Sequence, residues 1–237
     1  MNPGSPPPPS SCAGAHGCVP TFDEDTGALI LDFDGTLADT RQSHEDALRT
    51  ALLPYGITLD AAWYARHVGL SIHDLLAALP GGRTLPHDEV IAHSRAHLLA
   101  EVHTITPIAC TVELLRQART AGLRCAVASG ASRQLVGPGL DALGLRGEFA
   151  TVVAREDADR GKPDPELFLT AARRLGIAPR HCLAVDDAPD GVAAARAAGM
   201  RVLTMADTHL APVSSTPATP PVGTARRAGT PAHDPTR

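Results

Sequence analysis

The stretch ALILDFDGTLADT, residues 28–40, ends a short apolar run on one carboxylate, Asp32, and sets a second, Asp34, one residue later. Charges at the end of a buried run are costly to desolvate unless a cation or a dense set of donors meets them. Three further segments place polar residues after apolar runs: CAVASGAS offers Ser129 and Gly130, TVVAREDADRGKPDPE leads to Lys162, and CLAVDDAPDG offers Asp186 and Asp187. On neighbouring strands, these would bring four acids, one ammonium and one hydroxyl to a single rim. Acids gathered there repel one another unless a hard cation such as Mg²⁺ bridges them, and Lys162 neutralises a further charge. Lys162 is also the only lysine in the chain. Its compact point charge suits a phosphoryl oxygen or a carboxylate in a cramped site that a planar guanidinium does not fit.

The elements that must position these residues are legible in the periodicity. Short apolar runs at 28–31, 123–128, 151–153, 182–185 and 201–205 predict strands. Amphipathic segments fall between most of them. One covers 111–121 and stops at Gly122; another starts at Asp164 as N-cap with Pro165 at the first helical position and closes at Gly176; a third covers 188–198 and closes at Gly199. This alternation predicts an α/β fold, a Rossmann-like parallel sheet with helices on both faces, whose ligands bind beyond the carboxyl ends of the strands. The segment 133–143 should be a helix too, but Gly137-Pro138-Gly139 predicts a break in it. Residues 43–106 lack convincing strands and carry helical patterns at 44–53, 72–79 and 86–103, which predicts an all-helical insertion after the first strand.

The chain of 237 residues is 43% hydrophobic, ample for a core, and its formal net charge of −5 leaves no basic footprint for nucleic acid. A small substrate is the expectation. Nothing approaches the ~20 apolar residues of a membrane span, and the start MNPGSPPPPSSC lacks the apolar core of a secretion signal. The five cysteines are odd in number, and Cys125 and Cys182 sit inside apolar runs, which reads as a reducing, cytoplasmic setting. Residues 1–25 and 211–237 are rich in proline, glycine and serine and are expected to be disordered tails. Cys12, His16 and Cys18 in the first tail offer three soft ligands without a fourth, a poor zinc site.

Together, DFDGTLADT, VASGAS, GKPDPE and VDDAPDGVAAARAAGM resemble the four motifs of the haloacid dehalogenase superfamily in order and spacing, over roughly residues 28–205. Within it the chain is similar to the branch of phosphoglycolate phosphatases, sugar-phosphate phosphatases and β-phosphoglucomutases. The resemblance implies a core of residues 26–42 and 107–210 with a helical cap at 43–106. Dehalogenases lack the second acid of the DxD pair, so Asp34 favours phosphoryl transfer. The implied enzyme is a monomeric, Mg²⁺-dependent phosphatase of a small phosphorylated metabolite, a sugar or sugar-alcohol phosphate. Asp32 would attack phosphorus, and Asp34 would protonate the leaving oxygen and then activate water. Mg²⁺ would be held by Asp32, the Asp34 backbone carbonyl and Asp187, with Asp186 a ligand or an acceptor behind them. Ser129, the Gly130 N–H and Lys162 would bind the remaining phosphoryl oxygens, and His44 matches a histidine that sugar-phosphate members carry.

Other histidines carry less. His67 and His73 flank the cap loop Gly69-Leu70-Ser71 and read as solvent-exposed, with a substrate contact as the alternative. His93 and His97 have metal-compatible spacing but no acid or third ligand beside them, and read as surface residues. Two positions depart from the family. Thr106-Pro107-Ile108-Ala109-Cys110 stands where a Pro-Gly pair is usual, and Ile72 stands where mutases carry a phosphate-binding arginine. The alternatives are a β-phosphoglucomutase-type mutase and a catalytically idle protein that binds a phosphorylated metabolite as a regulator.

Overall fold

The computed structural model describes residues 22–206 and 209–213. The outer parts of both expected tails, with Cys12, His16 and Cys18, lie outside the described residues. The central sheet has the order β5-β4-β1-β6-β7-β8, formed by β1 (Ala28–Leu31), β4 (Arg124–Ala128), β5 (Thr151–Val153), β6 (Cys182–Val185), β7 (Arg201–Ala206) and β8 (His209–Pro212). All neighbours pair in parallel except β7 and β8. β1 lies between β4 and β6, with Leu31 level with Val127 on one side and Val185 on the other. Strand order reverses on either side of β1, so a crevice opens at its carboxyl end, where Asp32 stands.

Alternation along the strands makes two cores. Leu29, Leu31, Cys125, Val127 and Val185 face Leu114, Leu115 and Ala118 of α5 (Ala109–Thr120) and Val136 and Leu140 of α6 (Arg133–Ala142). Ala28, Ile30, Ala126, Ala128, Cys182 and Ala184 face Leu167, Phe168 and Ala171 of α7 (Glu166–Leu175) and Ala194 and Ala195 of α8 (Pro189–Ala197). Period-two strands thus bury one set of side chains under each helical layer. Cys125 and Cys182 fall on opposite faces, and burial pushes both thiols up to about 11.

The expected break in α6 does not occur. Pro138 costs the helix one backbone hydrogen bond, but fully buried Val136 and Leu140 hold it against the sheet. Parts of both stretches expected to be tails are ordered. Within residues 1–25, Phe22 packs on the core and Asp23 pairs with Arg201; beyond residue 210, β8 runs to Pro212 and the Val213 N–H donates to the Val202 carbonyl at 3.2 Å.

Between β1 and α5 the chain forms α1 (Arg41–Leu52), α2 (Ala61–His67), α3 (Ile72–Ala78) and α4 (His87–Ala100), which share an apolar cluster that includes Leu48, Leu52, Tyr64, Leu76 and Val90. α2 is too short for its periodicity to show in the sequence; its N-cap Asp60 accepts from the Trp63 N–H at 2.6 Å. The helical region is entered and left through two strands of two residues each, β2 (Ala38–Asp39) and β3 (Thr106–Pro107), paired antiparallel. Among the described residues, no helix is long and apolar enough to cross a membrane.

Candidate active site

Parallel pairing of β1 with β6 brings Asp32, Asp186 and Asp187 to one end of the sheet, and the Asp32 N–H donates to the Val185 carbonyl at 2.9 Å. Lys162, from the loop between β5 and α7, donates from Nζ to Asp32 Oδ1 at 2.5 Å and to Asp186 Oδ2 at 2.7 Å. Its side chain is only 13% exposed and its ammonium sits 5.3 Å from the centre of the Phe168 ring. Burial lowers the Lys162 pKa, but the Asp32 and Asp186 carboxylates outweigh it and the net shift is upward, so the ammonium stays charged. The other Asp186 oxygen accepts from the Ala188 N–H at 3.0 Å, so both oxygens are occupied by donors.

Asp187 is fixed by Thr36, whose Oγ1 donates to Asp187 Oδ1 at 3.0 Å and accepts from the Asp187 N–H at 3.1 Å. Gly35 makes room for that carboxylate: its φ of +73° suits glycine, and a Cβ there would stand 2.8 Å from Asp187 Cγ. Gly191 in α8 does the same for Asp186, because a Cβ would overlap all three atoms of its carboxylate group.

Oxygens of Asp32, Asp186 and Asp187 lie within 4.8 Å of one another. Burial, then the neighbouring Asp186 and Asp34 charges, push the Asp32 carboxyl well up despite Lys162, and burial raises the Asp187 carboxyl as well. One ammonium faces several carboxylates, and oxygen donors with surplus negative charge suit a hard divalent cation. The Asp34 carboxylate stands outside this trio and meets His44 of α1, whose Nε2 lies 3.0 Å from Asp34 Oδ1. Burial raises Asp34, but the charge and hydrogen bond of His44 and a bond from Thr40 outweigh it, and the net shift is downward. Burial disfavours the imidazolium of His44 in turn, and Asp34 overcomes that and raises its pKa.

Ser129 follows the last residue of β4 on the same rim. It is buried, its N–H donates to the Val153 carbonyl at 3.0 Å, and its Oγ accepts from the Ala131 N–H at 3.0 Å, leaving the hydroxyl proton to donate elsewhere. Gly130 beside it is exposed.

Residues 26–199 match the family described as haloacid dehalogenase-like hydrolase. The chain belongs to that family. This hydrolase is 34% identical over 179 residues to fructose-1-phosphate phosphatase YqaB of Escherichia coli, covering 73% of this chain and 92% of YqaB. It is 32% identical over 198 residues to protein CbbY of Rhodobacter capsulatus, covering 74% of this chain and 83% of CbbY. Among solved structures it resembles CbbY from Rhodobacter sphaeroides in complex with xylulose-(1,5)bisphosphate, with a TM-score of 0.68 and 25% identity over 76% of this chain and 85% of that one.

Four residues that hold this cluster together have no role legible in the sequence. Thr36 and Thr40 look like ordinary turn residues, and Gly35 and Gly191 like ordinary glycines. Only their partners reveal what they hold: Asp187 for Thr36 and Gly35, Asp34 for Thr40 and Asp186 for Gly191. The remaining histidines are placed elsewhere. His67 stacks on Trp63 with ring centroids 4.0 Å apart and bonds its carbonyl; His73 and His93 are exposed and His97 half-buried, and none joins the carboxylate cluster.

Proposed function

We propose that this phosphoric monoester hydrolase removes the phosphoryl group from a sugar or sugar-alcohol phosphate by way of an aspartyl phosphate at Asp32. The observation that carries the reading is Lys162 bridging Asp32 and Asp186 at the end of β1, with Asp187 in reach and Asp34 set apart on His44. Asp32 has one oxygen on Lys162 and a second for attack on phosphorus, which splits hydrolysis into two displacements. Asp34 protonates the leaving oxygen and, now a base, takes a proton from the water that attacks the aspartyl phosphate. His44 holds Asp34 in place, and as the imidazolium that Asp34 favours it supplies the proton that Asp34 passes to the leaving oxygen, taking one back through Asp34 when water attacks. Lys162, the Ser129 hydroxyl and the Gly130 N–H receive the oxygens of the transferred group, and Asp186 anchors Lys162.

Asp32, Asp187 and the Asp34 backbone carbonyl are the groups that would hold Mg²⁺. Bound there, Mg²⁺ supplies positive charge against the phosphoryl oxygens and screens them from the carboxylates. The helical region, residues 43–106, serves as the cap that selects the rest of the substrate. A net phosphatase is favoured over a mutase because the position of the mutase arginine holds Ile72, whose side chain packs against the helical cluster. A distal dianion left unpaired in a closed site is costly.

The test is phosphate release from a panel containing fructose 1-phosphate, hexitol phosphates and β-glucose 1-phosphate, with Mg²⁺ and with EDTA. Mg²⁺-dependent release from at least one monophosphate is expected, with no glucose 6-phosphate formed when glucose 1,6-bisphosphate is added. Glucose 6-phosphate appearing faster than phosphate would replace the phosphatase with a mutase; no release from any member would overturn the reading.

A further inference from the structure

The Gly137-Pro138-Gly139 triplet, unfavourable in a helix interior, is carried by α6 without a break. Nothing in α6 itself rewards glycine at position 139. We infer that Gly139 is a positioning residue for the carboxylate pair: the notch it leaves in α6 seats the Phe33 ring, and through that ring it fixes the backbone between Asp32 and Asp34. The inference rests on the roles proposed above for those two residues.

Phe33 stands between them in sequence, is 3% exposed, and packs in the same cluster as Val136 and Leu140 of α6. A Cβ at Gly139 would overlap Phe33 Cζ and stand 3.0 Å from Cε1 and 3.4 Å from Cε2. The contact is with the tip of a rigid ring in a closed core, which has no flexible end to turn aside. The backbone behind the ring is held as well. The Phe33 carbonyl accepts from the Leu37 N–H at 2.9 Å and the Ala38 N–H at 3.0 Å, and the Asp32 N–H is tied to Val185. A methyl group added to α6 must therefore move the ring, and the ring is one residue from each carboxylate. Gly137, by contrast, faces the far end of the Arg146 side chain, which can shift.

The experiment compares wild type, Gly139→Ala, Phe33→Leu and the double variant in Mg²⁺-dependent hydrolysis of p-nitrophenyl phosphate, with thermal melts alongside. Gly139→Ala should lower kcat about 100-fold with KM changed less than about threefold, as expected for misplaced reacting groups. The shorter leucine vacates the notch, so the double variant should recover kcat to within about threefold of Phe33→Leu alone. Mere loss of folded protein would lower the melting temperature and the folded fraction but leave kcat per folded molecule at its wild-type value, so kcat is taken per folded enzyme. Should Gly139→Ala fail to fold, the double variant decides: kcat near that of Phe33→Leu supports the inference, and a folded double variant with kcat far below it overturns the inference. Wild-type kcat in Gly139→Ala also overturns it while leaving the proposed reaction standing, whereas an inactive wild type refutes the reaction and the positioning role with it.

Discussion

Lys162→Met keeps the length and apolar stem of the side chain and removes only the ammonium. Asp32 Oδ1 and Asp186 Oδ2, now 2.5 and 2.7 Å from Nζ, would be left facing each other in a site where the two residues are 6% and 1% exposed. Removing one partner of a buried ionic network costs about 3–5 kcal/mol, and so little water reaches these groups that no large discount for screening applies. The deficit should depend on pH. Burial already raises the Asp32 carboxyl well above its ordinary 3.8, and loss of the opposing lysine raises it further. A carboxyl with a raised folded pKa contributes stability below its unfolded value and loses it as pH rises through the folded one. The gap between wild type and variant should therefore widen from pH 5 to pH 8. Urea unfolding followed by circular dichroism, in EDTA so that no metal substitutes for the ammonium, reads the gap at each pH. Equal midpoints at pH 7.5, or a gap that does not change with pH, would refute the assignment of Lys162 as the charge that holds the two aspartates together.

Gly191→Ala should cut kcat about 100-fold while α8 still forms, because its methyl group displaces the Asp186 carboxylate and with it Lys162; steady-state kinetics with a circular dichroism control measures this. Asp157 accepts from Arg133, from Arg174 at 2.6 Å and from the Ala154 N–H at 2.9 Å, and these outweigh burial to lower its pKa. Its contribution, about 1–2 kcal/mol given the exposed arginines, is present above pH ~4 and lost as pH falls through the lower folded value. Melting temperatures of wild type and Asp157→Asn should differ by a constant amount at neutral pH and converge in acid.

Most of the sheet is readable from the sequence because each strand is a short apolar run closed by a turn or a charged residue. β1, β5 and β6 lie where the runs predict them. Asp32, Asp186 and Lys162 are readable for the same reason: a charge at the end of a buried run must find a partner, and the partners found are one another. What eludes the sequence is either too short for periodicity or depends on contact across the fold. β2 and β3 have two residues each, and β8 exists only as a partner of β7. The break predicted at Pro138 fails because local propensity yields to Val136 and Leu140 under the sheet. Thr36 and Gly191 acquire meaning only once β6 and its following turn stand beside β1.

Attack by Asp32, with Asp34 serving as acid and base, leaves a covalent phosphate that can be trapped. Asp34→Asn cannot activate water, yet an activated aryl ester needs no acid to leave, so this variant should be phosphorylated and stall. It would be mixed with p-nitrophenyl phosphate and Mg²⁺, quenched in acid, digested and analysed by mass spectrometry. One phosphoryl group is expected on the peptide carrying Asp32, absent when Asp32 is also changed to Asn. A phosphoryl group on any other residue, or a burst of p-nitrophenol with none on the protein, would contradict it.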